Sequence, residues 1–231
     1  MGSVTSSFIF HPPKKSNKYY SNIKYLYTQN NEKISYIEYN PNAKKIMIFS
    51  HGNASDISDY YDFKKIANEI NVCIVVYDYI GYGKSHIYKL LNEKTCYKSH
   101  ETIVKYYEKL NKDIYLVGQS LGTGVVVDYI STHDISLIKK VMLISPYKSI
   151  CSVVYDSSLL YPINQFMSIN KIKSINKKLK IYFYHGKNDK IINYNHSIIL
   201  SSLCNSHLIL LEDIGHNDIL QYIDFNNFIN S

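Results

Sequence analysis

The chain is 231 residues long and 45% hydrophobic, enough to bury a sizeable core in one α/β domain, and no second domain is expected. Its formal charge of +7 comes from 26 cations against 19 anions. Every cation is lysine, so the planar fork that reads phosphates and guanine edges is missing; nucleic-acid binding is disfavoured, whereas a diffuse lysine field suits an anionic membrane surface or plain solvation. Cys73, Cys96, Cys151 and Cys204 show no CxxC spacing, and no run of about eighteen apolar residues occurs, which excludes a disulfide framework, a zinc site and a membrane span. Reduced thiols in a cytosolic monomer are the expectation.

In chain order, residues 1–18 form an N-terminal extension and residues 19–231 the domain. Met1-Gly2-Ser3-Val4-Thr5-Ser6 fits the pattern for myristoylation at Gly2, with Lys14, Lys15 and Lys18 as the second signal that stable attachment needs, so a peripheral place on the cytoplasmic face of membranes is expected. Phe10-His11-Pro12-Pro13 cannot be regular helix or central strand and is expected to lie extended over the surface. Segments 23–28 and 33–39 alternate around Gln29-Asn30-Asn31-Glu32, an edge hairpin. Strands and helices then alternate: strand 45–50, helix 58–70 with Phe63, Ile66, Ala67 and Ile70 on one face, strand 72–77, and helix 93–110 facing inward with Ile103, Tyr106, Tyr107 and Leu110. Strand 113–117, helix 123–130, strand 140–144, a long connection 145–178, strand 179–184, helix 194–203, strand 207–211 and helix 217–228 complete the chain. This alternation predicts a mostly parallel sheet covered by helices on both faces, with ligands at the carboxyl ends of its strands.

Chemistry-bearing residues fall at those ends. Gly118-Gln119-Ser120-Leu121-Gly122 joins a strand to a helix in the pattern G-x-S-x-G, where small residues two before and two after the serine allow the sharp turn of a nucleophile elbow. Such a serine needs an acid and then a histidine, each in a loop after a later strand. Asp189 and His216 supply them in the order Ser…Asp…His, whereas Asp213 and Asp218 sit too near His216 to compete. In this scheme Ser120 is the nucleophile, His216 the base and Asp189 the group that orients it. The backbone N–H groups of Leu121 and of Asn53, after Ser50-His51-Gly52, are the candidate oxyanion hole. His51 is read as holding that loop by hydrogen bonds. No G-x-G-x-x-G, Walker lysine or ligand-spaced cluster is present, so no cofactor and no metal are expected. Segment 146–178 stands where a small cap would, and Tyr147, Ile150, Val154 and Leu160 either wall an acyl chain or pack the cap onto the sheet.

Taken together, Ser50-His51-Gly52-Asn53-Ala54, Asp78-Tyr79-Ile80-Gly81-Tyr82-Gly83, Gly118 to Thr123, His185-Gly186 leading to Asp189, and Gly215-His216-Asn217-Asp218 resemble the α/β-hydrolase domain-containing protein 17 group and, less closely, its type 13 relatives. Phe10-His11-Pro12-Pro13 is similar to that group's N-terminal Phe-x-Pro-Pro. The resemblance implies an α/β-hydrolase fold and a membrane-associated serine hydrolase that removes palmitate from protein cysteines. The group's acylated N-terminal cysteine cluster has no counterpart, since the first cysteine is Cys73, so attachment would fall to Gly2 and the lysines. The readings that follow are a palmitoyl-thioesterase acting on S-acylated proteins, an esterase or monoacylglycerol lipase acting on acyl esters, and a catalytically silent hydrolase fold used for binding.

Overall fold

The structure, a computed structural model, describes residues 9–13, 22–87, 91–154, 164–175 and 177–230. Its strands are β1 (Lys24–Tyr27), β2 (Lys33–Tyr39), β3 (Lys45–Ser50), β4 (Val72–Tyr77), β5 (Asp113–Gln119), β6 (Ile138–Ile144), β7 (Lys180–Gly186) and β8 (Ser206–Leu211). They form one sheet in the order β1-β2-β4-β3-β5-β6-β7-β8. The pairs from β4 through β8 are parallel, and β2 runs against both of its neighbours. The expected mostly parallel sheet with an antiparallel edge hairpin is what forms.

Alternation within the strands sorts their side chains onto two faces. Ile46 and Ile48 of β3 join Val75, Leu116, Leu143 and Phe183 under α2 (Glu93–Glu108) and α3 (Leu121–Thr132). Met47 and Phe49 point the other way and join Val76, Tyr115, Met142 and Tyr182 under α1 (Phe63–Glu69) and, at the chain's end, a helix over Phe225–Asn230. Helix α3 is buried nearly all round, because α2 and the cap segment lie over the side that the sheet does not cover.

Two expected helices are broken. Segment 58–70 divides into a 3₁₀ turn over Ile57–Tyr60 and then α1, since Asp56 and Asp59 close a capping box around the short turn. Segment 217–228 divides into a 3₁₀ turn over Ile219–Tyr222 and the terminal helix. Ile223 between them is extended, and the Asp224 carboxylate accepts the N–H of Asn227 at 2.8 Å, capping the new start. The inward stripe of α2 is also rotated from the expected one. Cys96, Ser99, His100, Ile103, Val104 and Tyr107 are buried, while Tyr106 and Leu110 are exposed. Ser99 and His100 can sit inside because Ser99 donates to the Thr95 carbonyl and His100 Nδ1 meets the Tyr77 hydroxyl at 2.9 Å.

Among its described residues, the connection after β6 contains the short helices α4 (Ile150–Val154) and α5 (Ser168–Lys171) and a 3₁₀ turn over Ile172–Ser174; α6 (Asn195–Ser201) follows β7, and the terminal helix is α7. The largest departure from expectation is Phe10, which is not spread over the surface but buried at 4% exposure in the core. Gly2, Lys14, Lys15, Lys18 and Leu160, and the side chain of Val154, lie outside the described residues. No described helix is long and apolar enough to cross a membrane.

Candidate active site

Ser120 sits where β5 ends and α3 begins, with φ 50° and ψ −116°, a conformation that a residue with a side chain enters only when its surroundings force it. Two glycines make the turn possible. A Cβ at Gly118 would lie 2.6 Å from the Gly122 carbonyl oxygen, and a Cβ at Gly122 would lie 2.1 Å from the Ser50 carbonyl oxygen. The first turn of α3 is thus pressed against the end of β3. The Ser120 N–H donates to the Ile144 carbonyl on β6 at 2.9 Å, which fixes the elbow to the sheet from the other side.

Asp189 follows β7 and His216 follows β8. His216 Nδ1 lies 2.6 Å from Asp189 Oδ2, and its Nε2 lies 3.1 Å from Ser120 Oγ. A carboxylate can only accept, so Nδ1 carries the proton and Nε2 is left to accept from the serine hydroxyl. The other carboxylate oxygen, Asp189 Oδ1, takes the N–H groups of Ile191 and Ile192, each at 2.8 Å. Burial pushes the Asp189 carboxyl up, but hydrogen bonds from His185 and His216 and the backbone N–H of Ile192 overrule it and hold the group well below the usual carboxylate range. Asp189 is therefore an ionised acceptor that is fixed in place, while Ser120 and His216 are only half-buried. The arrangement can draw a proton from a hydroxyl and stabilise the imidazolium that results.

The loop after β3 lies against the elbow: a Cβ at Gly52 would be 3.5 Å from Ser120 Cβ. His51 in this loop is fully buried; its Nδ1 meets the Gly52 carbonyl oxygen at 2.8 Å and its ring centroid lies 4.4 Å from that of Tyr79. Burial pushes its pKa down, so it is neutral and fits a part in shaping the loop. Leu121 opens α3, and its carbonyl accepts the Tyr147 hydroxyl at 3.2 Å. Tyr147 is 1% exposed and pressed against Gly124 and Phe166, so it ties the root of the cap to α3 rather than facing an opening. Ile150 is half-buried in α4 and packs on the same core.

Of the acids near His216, Asp189 alone is paired with it among the described residues; Asp213 accepts from Asn188 at 3.4 Å. His185, at the end of β7, is a partner that motif reasoning passed over. Its Nε2 lies 3.2 Å from Asp189 Oδ2 and 2.9 Å from the Ile192 carbonyl, and its Nδ1 lies 2.7 Å from Ser197 Oγ. The signal in the sequence was its place four residues before the acid at a strand end. Among the described residues no group of histidines, cysteines and carboxylates could hold a metal ion.

A family profile described as Hydrolase_4, serine aminopeptidase S33, matches residues 41–173. An alpha/beta hydrolase of Acanthamoeba polyphaga mimivirus is 37% identical over 93% of this chain and 87% of its own length. Human alpha/beta hydrolase domain-containing protein 17B is 31% identical over 81% of this chain, and protein 17C of Xenopus laevis 31% identical over 82%. The chain spans 65% and 61% of the length of these two type 17 relatives. Among solved structures, an esterase of Exiguobacterium antarcticum superposes with a TM-score of 0.71 at 15% identity, covering 89% of this chain and 97% of its own. An esterase of Pyrococcus furiosus superposes with a TM-score of 0.72 at 15% identity, covering 95% of each chain. At such identities the superpositions show a shared fold.

Proposed function

The chain belongs to the α/β-hydrolase family, and on that premise we propose that it is a serine hydrolase of acyl thioesters and esters that removes palmitate from cysteines of other proteins. The observation that carries the reading is the unbroken line from Ser120 Oγ through His216 to Asp189, at 3.1 and 2.6 Å, set in a strained elbow. Ser120 Oγ attacks the thioester carbonyl as His216 Nε2 takes its proton. The tetrahedral oxyanion is met by the N–H groups of Leu121 and Asn53, and collapse breaks the C–S bond, with His216 returning the proton to the departing cysteine sulfur. Water, deprotonated by His216, then attacks the acyl-serine. The fatty acid leaves and Ser120 is restored. Losing one oxyanion donor in such sites costs about 2.7–4 kcal/mol of transition-state stabilisation.

The hydrolytic step rests on the triad; the palmitoyl thioester rests on the likeness of the five motifs to the type 17 group. The connection between β6 and β7 spans only residues 145–179, and a cap of that length suits an acyl group presented on another protein. The test is hydrolysis of a palmitoyl-cysteine peptide set beside a matched short-chain oxygen ester, with Ser120→Ala as control. The proposal expects turnover of the thioester that vanishes in the variant. Turnover of the short ester alone would reduce the enzyme to a general esterase, and turnover of neither would refute hydrolysis altogether.

A further inference from the structure

Asn53 enters the proposed oxyanion hole through its backbone, and its side chain does something separate. Its Nδ2 donates to the Ile9 carbonyl at 2.6 Å. Its Oδ1 accepts the His11 N–H at 2.9 Å, the Tyr82 hydroxyl at 2.8 Å and the Ala54 N–H at 3.2 Å. One carboxamide thus clasps the backbone on both sides of Phe10. The Phe10 ring is sunk into the core beside Phe166, with ring centroids 6.1 Å apart. Phe166 is where the chain returns from the cap, and its N–H is held by the Glu93 carboxylate.

Both places that this segment touches are strained. Ala54, next to Asn53, has φ 56°, and Phe166 has φ 50°, left-handed values that non-glycine residues keep only when their surroundings over-determine them. The Asn53 clasp supplies that support for the loop after β3, and Phe10 supplies it for the return arm of the cap.

We propose that residues Ile9 to His11 are a positioning strap for the oxyanion hole: clasped by the Asn53 side chain and anchored by Phe10, they set where the Asn53 N–H points and tie that loop to the cap. The strap rests on the hydrolase reading above and touches no substrate atom. It makes the N-terminal segment part of the catalytic apparatus, so that whatever holds or pulls residues 9–11 changes turnover.

Phe10→Ala removes the anchor and leaves Asn53 intact; Asn53→Ala removes the clasp and keeps the backbone N–H; Tyr82→Phe removes one donor to the clasp. With p-nitrophenyl butyrate, the first two variants should lower kcat roughly tenfold with KM within about twofold, below the 10²–10³ that outright loss of an oxyanion donor costs. Tyr82→Phe should give about a twofold loss. Inhibition by an alkyl trifluoromethyl ketone, whose serine adduct places an anionic oxygen in the hole, should weaken by the same factor as kcat in each variant. A merely structural role would not produce that parallel. Phe10→Leu, which keeps an apolar anchor, should restore most of the rate. Folded Phe10→Ala and Asn53→Ala with unchanged kcat and unchanged ketone inhibition would overturn the strap alone. Wild-type hydrolysis that survives Ser120→Ala would overturn the hydrolase reading, and the strap with it.

Discussion

Two buried aspartates stand at the carboxyl edge of the same sheet, each facing a histidine, and they are put to opposite uses. Asp189, after β7, bonds His216 at 2.6 Å and spends its second oxygen on the N–H groups of its own turn. Asp78, after β4, has Oδ1 on the Ile57 N–H at 2.9 Å and Oδ2 on the Ser35 hydroxyl at 2.7 Å and the Lys84 N–H at 3.0 Å, while His51 Nε2 stays 4.0 Å away. Charge-assisted bonds hold the first carboxyl low. Burial pushes the second up and its histidine down. The residue types are the same, so the loops decide. An acid that turns one oxygen to a half-exposed imidazole, steadied there by the buried His185, can orient a base, and an acid whose oxygens are taken by three separate segments is a knot that ties β2, the turn after β3 and the loop after β4 together.

The contrast can be broken most visibly at Asp189. Asp189→Asn should cut kcat by about 10⁴ through the wrong imidazole tautomer, as a steady-state assay would read, and should also lower the thermal midpoint, because the hydrogen bonds that hold this carboxyl low favour its ionised form in the fold. Asp78→Asn should cost stability and spare turnover. An amide there turns an NH₂ toward either the Ile57 or the Lys84 N–H, and a buried donor left unpaired costs about 1–3 kcal/mol, visible as a fall in the denaturant midpoint. Should Asp78→Asn instead spare stability and abolish turnover, the division of labour drawn here is wrong.

A pH-dependent effect sharpens the sealed side. His100 Nδ1 meets the Tyr77 hydroxyl at 2.9 Å, its Nε2 is buried without a partner among the described residues, and burial pushes its pKa down to about 3. Between an unfolded value of about 6.5 and that folded value, the unfolded chain binds a proton that the native state refuses. Stability therefore falls as pH drops through this window, by up to about 1.4 kcal/mol per pH unit for this one group. Denaturant titrations from pH 7 to 4 should show a shallower decline in His100→Phe than in the parent, and equal slopes would contradict the assignment.

How much of this was legible in the sequence depended on range. Strands β2, β3 and β4 lie where alternation and apolar runs put them, because a buried strand writes its period locally. Ser120, Asp189 and His216 were legible because the elbow demands glycines at fixed offsets and the other two follow strands in a fixed order. The rest hangs on distant partners. Phe10 looked like surface because its neighbours are prolines, yet the hollow that takes it is built from Phe166 and the Asn53 loop, more than forty residues on. The Asn53 side chain, the second bond from His185 to Asp189, and the helix breaks at Tyr61 and Ile223 have no local periodic signature. The stripe of α2 was misplaced for the same reason: hydropathy favours Tyr106 and Leu110 inside, whereas Ser99 and His100 enter the core once hydrogen-bond partners wait there.

The central claim is that the elbow and its histidine–aspartate pair make Ser120 a nucleophile. Its most direct test is to treat the 231-residue chain with a fluorophosphonate probe and map the adduct by peptide mass spectrometry, in the parent and in Ser120→Ala and Asp189→Asn. The account predicts one adduct per chain, on Ser120, absent from Ser120→Ala and formed far more slowly in Asp189→Asn. Labelling at another residue, or none in a folded parent protein, would contradict it.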